Sequence, residues 1–263
     1  ADEVTLFTTG TTDPIHRAGV VGQQSKISGS TNVGIFFDLH SPQFCEFGGL
    51  ELGAGTATSI GIKVRCDVTN ASGYASKKTA CFNAFHDLKW SGQVGTAIDL
   101  AGVTNQPVTL NSFHNIDAYS VLVKGVRLVE WCDNNTFSGF QRYSLQANSA
   151  IGIILNDSAT PTVDVAVYAN HFHALAIDIF AGLTGRQGII INNTKQFVID
   201  ALHINPNSDT AGEDIIDNSG VSYFIRRVAR NGSTIIDEIF PEDGTMSPED
   251  KAMQTQMLKA QEQ

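Results

Sequence analysis

Two short patterns of apolar and polar residues alternate along the chain. The first is Asn-x-Phe, then turn-forming residues, then another apolar residue, as in NAFHDL (83–88) and NSFHNI (111–116). The second is a small residue followed by apolar–x–apolar, as in GIKV (61–64) and GVRL (125–128). Because one pattern regularly follows the other, the chain is predicted to consist of repeated units, each with two recognisable strands.

The segments between copies of the first pattern exclude helical repeats. The aligned phenylalanines of this pattern are Phe47, Phe85, Phe113, Phe137, Phe172 and Phe197. The strands are short and rich in Ile, Val, Leu and Phe, and no amphipathic helix of about 10–15 residues separates them. The pattern therefore predicts an all-β fold, a parallel β-helix (a solenoid) of about 6–8 rungs.

Within a rung, Phe85 and Leu88 are three residues apart, so one flat strand cannot bury both. Asp87 lies between them. The equivalent residues of later copies are Asn115, Gly139 and Ala174. Gly, Asn and Asp tolerate the left-handed backbone that turns a chain sharply. We therefore expect a bend here, three faces per coil, and a ladder of stacked Asn side chains near the bend.

Outward positions of neighbouring rungs support this register. Period-2 alternation in GIKV turns Ile62 and Val64 inward and Lys63 outward. One predicted outward column is Lys63, Asp99 and Arg127, and another is Glu51, Lys89 and Asp117. Both columns alternate in sign, as favourable cross-strand pairs do.

The repeats divide the chain into an N-terminal lead-in (1–20), a β-helix domain (21–230) and a C-terminal extension (231–263). In the extension, Ser247 is a helix N-cap signal and Pro248 suits a first helical turn. We therefore expect a short C-terminal tail that is partly helical.

The composition argues against several classes of binding partner. Charged residues are only 17% of the chain and the formal net charge is −10, so nucleic acid, a polyanion, is not an expected partner. No apolar run approaches the roughly 20 residues of a membrane span, so membrane insertion is not expected. The four cysteines lack metal-like spacing and are expected to be buried free thiols. We expect no metal and no cofactor.

These features resemble the right-handed β-helix proteins with the pectate-lyase-like fold, most of all the tailspikes and tail fibres of bacteriophages. The resemblance rests on Asn-x-Phe rungs alternating with Gly-Ile-x-Leu rungs, the lead-in QSKISG (24–29), low charge and an acidic balance. It implies a right-handed single-stranded coil. It also implies a homotrimer in the virion tail, beside other tail proteins, that acts extracellularly at the host surface.

The polymer implied by the resemblance is bacterial surface polysaccharide, either capsule or lipopolysaccharide, which many family members cleave. Two alternatives stay open. One is a non-catalytic structural or adhesive virion appendage, and the other is a secreted bacterial polysaccharide-degrading enzyme that acts as a monomer. Outward Ile154 and Ile190 predict apolar stripes of the kind that mark subunit interfaces.

Hydrolysis of a glycosidic bond requires two carboxyl groups about 5–10 Å apart. Glu130 and Asp157 fall at equivalent positions of consecutive rungs, and Asp133 is close in sequence. Neighbouring acids raise each other's pKa. These three are the candidate catalytic residues of a glycoside hydrolase; alternatively they are solvated acids at strand ends. Lyases of the family use an acidic calcium cluster with a basic proton acceptor, a pattern that no strand here shows.

Outward histidines and tyrosines are the candidates for sugar binding. The histidines that follow the repeat phenylalanine are His86, His114 and His173. They either transfer a proton or hydrogen-bond sugars, or else they satisfy backbone groups at a corner. By alternation Trp90 points inward, whereas Tyr119 and Tyr143 point outward. There the two tyrosines would stack on sugar rings or pack in an interface.

Overall fold

The described part of the chain consists of strands joined by turns. The structure, a computed structural model, describes residues 4–8, 19–27, 33–53, 55–66, 79–103, 106–158, 167–179, 182–192, 194, 197–206, 215–218, 224–230 and 234–239. No helix occurs within these ranges, and hence none that is long and apolar enough to cross a membrane. The all-β prediction is confirmed. The expected helical tail lies outside the described residues.

The strands are β1 (Val4–Thr8), β2 (Gly19–Ile27), β3 (Val33–His40), β4 (Glu46–Leu52), β5 (Ile60–Arg65), β6 (Ala80–Cys81), β7 (Ala84–Ala101), β8 (Val108–Thr109), β9 (Ser112–Val129), β10 (Cys132–Asp133), β11 (Thr136–Leu145), β12 (Ile151–Leu155), β13 (His171–His173), β14 (Leu175–Ile179), β15 (Gln187–Ile191), β16 (Val198–Asp200), β17 (His203–Pro206), β18 (Ile215–Asp217), β19 (Phe224–Arg230) and β20 (Thr234–Ile239).

Strands of consecutive units pair in parallel along three tracks. The first track runs through β4, the starts of β7, β9 and β11, then β13 and β16. The second runs through the end of β4, the middles of β7 and β9, the end of β11, then β14 and β17. The third runs through β1, β3, β5, the ends of β7 and β9, then β12, β15 and β18.

A short fourth track, formed by β6, β8 and β10, precedes the first track in each of three units. Among the named strands of the described chain, only β19 and β20 pair antiparallel. Each unit between β4 and β16 therefore meets its neighbours through parallel ladders, which require a crossover connection and not a hairpin.

The repeat phenylalanines form a buried stack on the first track. The rings of Phe47, Phe85, Phe113, Phe137 and Phe172 lie nearly parallel, with successive centroids 4.4–5.2 Å apart. Phe172 pairs with Ile199 in the next unit. The sequence alignment that placed Phe197 in this column is therefore wrong by two residues.

Four buried asparagines, Asn83, Asn111, Asn135 and Asn170, form a hydrogen-bonded ladder. Asn83 Nδ2 donates to Asn111 Oδ1 at 2.7 Å, and the Asn83 backbone N–H donates to the same oxygen at 3.1 Å. The same pairing joins Asn111 to Asn135 and Asn135 to Asn170. The predicted ladder is thus present, but it lies at the corner before the first track and not at the bend after it.

Cys45 and Phe197 occupy the two ends of this ladder. Cys45 precedes β4 as Asn83 precedes β7, and its backbone N–H donates to Asn83 Oδ1 at 3.0 Å. Phe197 precedes β16 as Asn170 precedes β13. Because a phenyl ring carries neither a hydrogen-bond donor nor an amide acceptor, the side-chain ladder stops at Asn170.

Positive φ angles mark the bends. The predicted bend residues Asp87, Asn115, Gly139 and Ala174 have φ values of 52°, 54°, 67° and 50°, so the bend prediction is confirmed. A second corner, just before the asparagine ladder, has positive φ at Phe44, Phe82, Leu110, Asn134 and Ala169. Its two phenylalanines and its leucine are about half exposed. Bulky residues seldom adopt this conformation.

The small residue of the second sequence pattern makes room for a side chain of the following unit. A Cβ atom on Gly125 would lie 2.8 Å from the ring of Tyr143. The equivalent residue of the preceding unit is Ala97. There the following unit has Ala118 in place of Tyr143. Side-chain size on the third track is therefore matched to side-chain size on the second.

The strand register confirms which residues share the two predicted outward columns, although Asp99 is only 3% exposed. In the first column, Lys63 pairs with Asp99, which pairs with Arg127. In the second column, Glu51 pairs with Lys89, which pairs with Asp117. Ile154, expected to form an outward apolar stripe, is only 5% exposed, and Ile190 is half-buried. The chain therefore does not present an apolar stripe at Ile154.

All four cysteines are buried and free, as predicted. Burial raises the pKa of the Cys132 thiol well above its ordinary value, which keeps this sulfur protonated and unreactive at neutral pH.

We expect Asn111→Ala to lower the free energy of unfolding by about 2–4 kcal/mol, because it leaves several buried backbone and amide groups without partners. Urea unfolding of the full chain measures this change. The matched control is Asn148→Ala, an exposed asparagine that also accepts one backbone N–H. Equal losses for the two variants would contradict the importance of the ladder.

Gly125→Ala is expected to cost about 1–3 kcal/mol through overpacking against Tyr143 and the Gly152 carbonyl oxygen. Since the clash is partly with the tyrosine ring, the cost should shrink in a Tyr143→Ala background. A thermal and urea unfolding cycle of the two single variants and the double variant tests this. Additive costs would rule out the size matching.

Candidate functional site

An exposed cluster on the second track combines aromatic rings with an ion pair. It consists of Asp117, Tyr119, Phe140 and Arg142 and is called here the aromatic–arginine surface. Arg142 donates from Nε and Nη2 to the two oxygens of Asp117 at 2.8 and 2.9 Å. Its guanidinium carbon lies 5.5 Å from the Tyr119 ring centroid and 5.6 Å from that of Phe140. These are cation–π distances.

Both rings face solvent although the guanidinium lies against them. Tyr119 is 49% exposed and Phe140 is 51% exposed. The bidentate bond to Asp117 fixes the plane of the Arg142 guanidinium. The ion pair therefore keeps the Arg142 guanidinium in a fixed orientation against two exposed aromatic rings.

Phe140 owes its position to one extra residue in β11. The pairing of β11 with β9 aligns Ser138 with His114 and Gln141 with Ile116, so β11 has two residues where β9 has one. This is a β-bulge, and it contains Gly139 at a φ of 67°. Bulges bend a strand locally and redirect a side chain. Here the side chain directed outward is Phe140.

A buried amide supports this bulge from inside. Gln141 is fully buried, in the column that Leu88 and Ile116 occupy in earlier units. Its Nε2 donates to the carbonyl oxygens of Ser138 at 2.7 Å and Phe113 at 3.0 Å. Gln141 thus ties the start of the bulge to the neighbouring unit.

The outward orientation predicted for Tyr143 is wrong. Tyr143 pairs with Ala118, in the column of inward-facing Trp90, and it is fully buried with a pKa raised by burial. Its hydroxyl donates to Gln141 Oε1 at 3.0 Å. The extra residue Phe140 shifts the alternation by one position, which the simple count from Phe137 missed. Tyr119 faces outward as predicted.

Phe140 and Arg142 were not among the residues singled out from the sequence. The signal that locates Phe140 is a length difference between two repeats. NSFHNI reaches the next core residue, Ile116, three residues after Phe113, whereas NTFSGFQ takes four residues from Phe137 to Gln141.

The three candidate histidines share one outward column on the first track. His86 pairs with His114, which pairs with Ser138, and the column continues through His173 to Asp200. His114 Nδ1 lies 3.1 Å from Ser138 Oγ, and His173 Nδ1 lies 3.7 Å from Asp200 Oδ2. The last position is Asp200 and not the residue after Phe197, because Ile199 continues the phenylalanine column.

His86 lies between two carboxylates. Its Nε2 is 2.9 Å from Glu46 Oε1 and its Nδ1 is 3.0 Å from Asp87 Oδ2. The hydrogen bond with Asp87 is the main cause that raises the pKa of His86, and Glu46 adds to it against the opposing effect of burial. Gly48 leaves space for the imidazole, since a Cβ there would lie 2.3 Å from the ring.

Asp157 is held by two cations. Its Oδ2 accepts from Lys124 Nζ at 2.5 Å and from Arg127 Nε at 2.6 Å. Burial acts to raise the pKa of Asp157, but the bonds from Lys124 and Arg127 outweigh it and the pKa lies below its ordinary value. The expectation of a raised pKa for this carboxyl group is therefore wrong.

Glu130 and Asp157 do fall in consecutive units. The Asp157 backbone N–H donates to the Leu128 carbonyl oxygen at 2.9 Å, and Glu130 Oε1 accepts from Ser158 Oγ at 2.6 Å. Asp133 belongs to the short track and is bridged to Tyr168. A hydrogen bond with Asp133 raises the pKa of Tyr168. The structure thus gives Asp133 a neighbour other than Glu130.

Within the described ranges, no group of three or more His, Cys, Asp or Glu side chains is arranged to hold a metal ion. Comparison of the chain with protein-family models, with curated proteins and with solved structures gives no match in any of the three. A function is therefore inferred from the geometry of the site itself.

Asp157→Asn is expected to lower the free energy of unfolding by about 1–2 kcal/mol at pH 7, because Lys124 and Arg127 lose a half-buried counterion. A carboxyl group whose pKa is lowered by folding stabilises the protein above its ordinary pKa of 3.8, and this contribution disappears as pH falls through the folded-state pKa. The difference between wild type and variant should thus shrink below pH 3.8.

Urea titrations at several pH values measure this effect. Asp200→Asn serves as the control, since Asp200 is more exposed and its His173 contact is long; it should cost about 0.5 kcal/mol or less. A penalty for Asp157→Asn that stays constant into acid would show that Asp157 is not held ionised by its neighbours.

Proposed function

We propose that the chain is a right-handed single-stranded parallel β-helix of the kind found in bacteriophage tailspikes and tail fibres. We further propose that it binds bacterial surface polysaccharide through the aromatic–arginine surface. The coil is supported by parallel pairing of each unit with the next on three tracks, in the same order in each unit. Crossover connections between parallel strands are right-handed in about 98% of cases, which supports the hand.

The observation that carries the binding role is the Phe140 bulge. From β4 to β17, the bend between the first and second tracks has the same length in every unit except that of β11. In addition, a glutamine in a column of Leu and Ile places a polar amide in the core. Both features serve to present a phenylalanine ring to solvent, half exposed, beside Arg142. Bulges are over-represented next to functional sites, and this one places the Phe140 ring beside the guanidinium that also contacts the exposed Tyr119 ring.

The chemistry of the surface suits a sugar. A sugar ring has an apolar face, which packs on an aromatic ring, and a rim of hydroxyl groups, which needs hydrogen-bond partners. The bonds from Arg142 to Asp117 use Nε and Nη2, so the Nη1 donors remain available to a ligand. Since Arg142 and Asp117 neutralise each other, the surface favours a neutral or weakly charged glycan over a strongly charged one.

The state of Asp157 supports recognition over hydrolysis. A carboxylate held ionised by Lys124 and Arg127 cannot donate the proton that a leaving sugar requires, and its lowered pKa makes it a weak base toward an attacking water. Hydrolysis is the second candidate function, with Asp157 as base and Glu130 as the acid, since the two lie in consecutive units near Ser158.

The resemblance further supports a homotrimer in the virion tail that acts at the host surface beside other tail proteins. Light scattering distinguishes this from the alternatives. A trimer mass agrees with the tail protein, whereas a monomer that shortens polysaccharide agrees with a secreted degrading enzyme. A trimer that neither binds nor cleaves glycans agrees with a structural appendage.

The binding proposal is tested with an array of bacterial capsule and lipopolysaccharide oligosaccharides. We expect the wild type to bind, and Phe140→Ala and Tyr119→Ala each to weaken binding about tenfold through loss of ring stacking. Phe82→Ala is the matched control, because Phe82 and Phe140 are equally exposed, both at 51%. Equal losses for Phe82→Ala and Phe140→Ala would contradict a site at the aromatic–arginine surface.

Mass spectrometry of the bound polymer after incubation separates binding from cleavage. We expect intact polymer. Defined oligosaccharides that disappear with Glu130→Gln would instead establish the hydrolase.

A further inference from the structure

A chain of hydrogen bonds connects the histidine column to the Phe140 bulge. It begins at Glu46, passes through both ring nitrogens of His86 to Asp87, and continues to Asn115. Asn115 Nδ2 donates to Asp87 Oδ1 at 2.9 Å, and Asn115 Oδ1 accepts from the Phe140 backbone N–H at 3.0 Å. Side chains of three successive units are thus joined to the backbone of a fourth.

Asn115 is the direct neighbour of the bulge. Its Oδ1 would lie 2.3 Å from a Cβ atom placed on Gly139, so the absence of a side chain there lets the amide approach. A side-chain amide can be flipped, but here both ends are specified. The Phe140 N–H requires an acceptor and Asp87 requires a donor, which leaves one orientation for Asn115.

The protonation of His86 determines whether this chain is complete. Both ring nitrogens face carboxylate oxygens, Glu46 on one side and Asp87 on the other. Carboxylates only accept, so both contacts are hydrogen bonds only when His86 carries two protons. A neutral imidazole retains one of them and turns a lone pair toward the other carboxylate.

The charged groups around His86 come from three strands. Glu46 lies on β4, Asp87 is its neighbour on β7, and His114 is its column partner on β9. Gly48, on β4, contributes no side chain. The two acids favour the imidazolium, and His114 opposes it when it is itself charged.

We propose that Asn115 is the positioning residue for Phe140, and that the chain Glu46–His86–Asp87–Asn115 makes glycan binding at the aromatic–arginine surface depend on pH. When His86 is protonated, Asp87 is held by two donors and fixes Asn115. Loss of that proton to solvent frees the Asp87 carboxylate, and Asn115 holds the Phe140 N–H less firmly. The glycan part of this inference rests on the proposed function, whereas the coupling from His86 to Phe140 does not.

The coupling is tested without any glycan. Amide and imidazole resonances of the full chain are followed by NMR between about pH 5 and pH 9. The His86 ring should titrate with a pKa above 6.5, and the Phe140 amide proton should shift upfield with the same midpoint as its hydrogen bond weakens. In His86→Gln this movement of the Phe140 signal should be lost. In His173→Gln, a variant of the same column without contact to Asp87, it should persist.

His114 is the main alternative source of a pH-dependent Phe140 signal, since its ring lies 2.6 Å from the position that a Cβ atom on Gly139 would occupy. A Phe140 signal whose titration survives His86→Gln but disappears in His114→Gln would overturn the proposal. So would a Phe140 amide that does not titrate at all.

The best-bound oligosaccharide of the array then tests the consequence for affinity. Wild type should bind about two- to tenfold more weakly at pH 8.5 than at pH 5.5, the value of one hydrogen bond. His86→Gln and Asn115→Ala should bind with little dependence on pH. Binding that is independent of pH in wild type would overturn the regulation while leaving the proposed function intact. Coupling in the NMR titration without any glycan binding would overturn the proposed function and leave the coupling from His86 to Phe140 intact.

Discussion

Each unit of this chain has to present to the next unit the same backbone edge that the previous unit presented to it. Parallel strands in register leave about 4.8 Å between equivalent residues, so every inward position faces the equivalent position of the next unit. Identical flat rings satisfy this condition, which is why five phenylalanines stack with centroids 4.4–5.2 Å apart. Asparagine satisfies it at the corner because the inner amides, those of Asn111 and Asn135, each accept from one neighbouring side-chain amide and donate to the other.

The same constraint determines how large a side chain each unit tolerates. The core is narrow enough that Tyr143 on one track leaves room only for a glycine, Gly125, on another. Where the corresponding residue is Ala118, the facing residue is Ala97. The sizes of facing side chains are therefore matched separately between each pair of neighbouring units.

Features that repeat were predictable from the sequence, because repetition puts the same physical demand on every copy. The left-handed bends at Asp87 and Asn115, the ladder of asparagines and the alternating charges on outward columns were all visible in the aligned repeats. Features that occur once were not. Tyr143 was misplaced because one extra residue reverses the alternation. The lowered pKa of Asp157 depends on Lys124, whose counterparts in the neighbouring units are Thr96 and Ile151.

The extra residue at Phe140 is compensated within the same strand. The register of β11 against β9 shifts once between Ser138 and Gln141 and shifts back between Tyr143 and Leu145. The start and the end of β11 therefore keep the same alignment with β9. In evolutionary terms, the outer surface of one unit tolerates a compensated insertion. A residue inserted at a bend and a residue deleted further along the same strand change the exposed side chains while the strand keeps its alignment with the preceding unit. A lineage under pressure to recognise new partners would have many equivalent bends at which to make such an exchange.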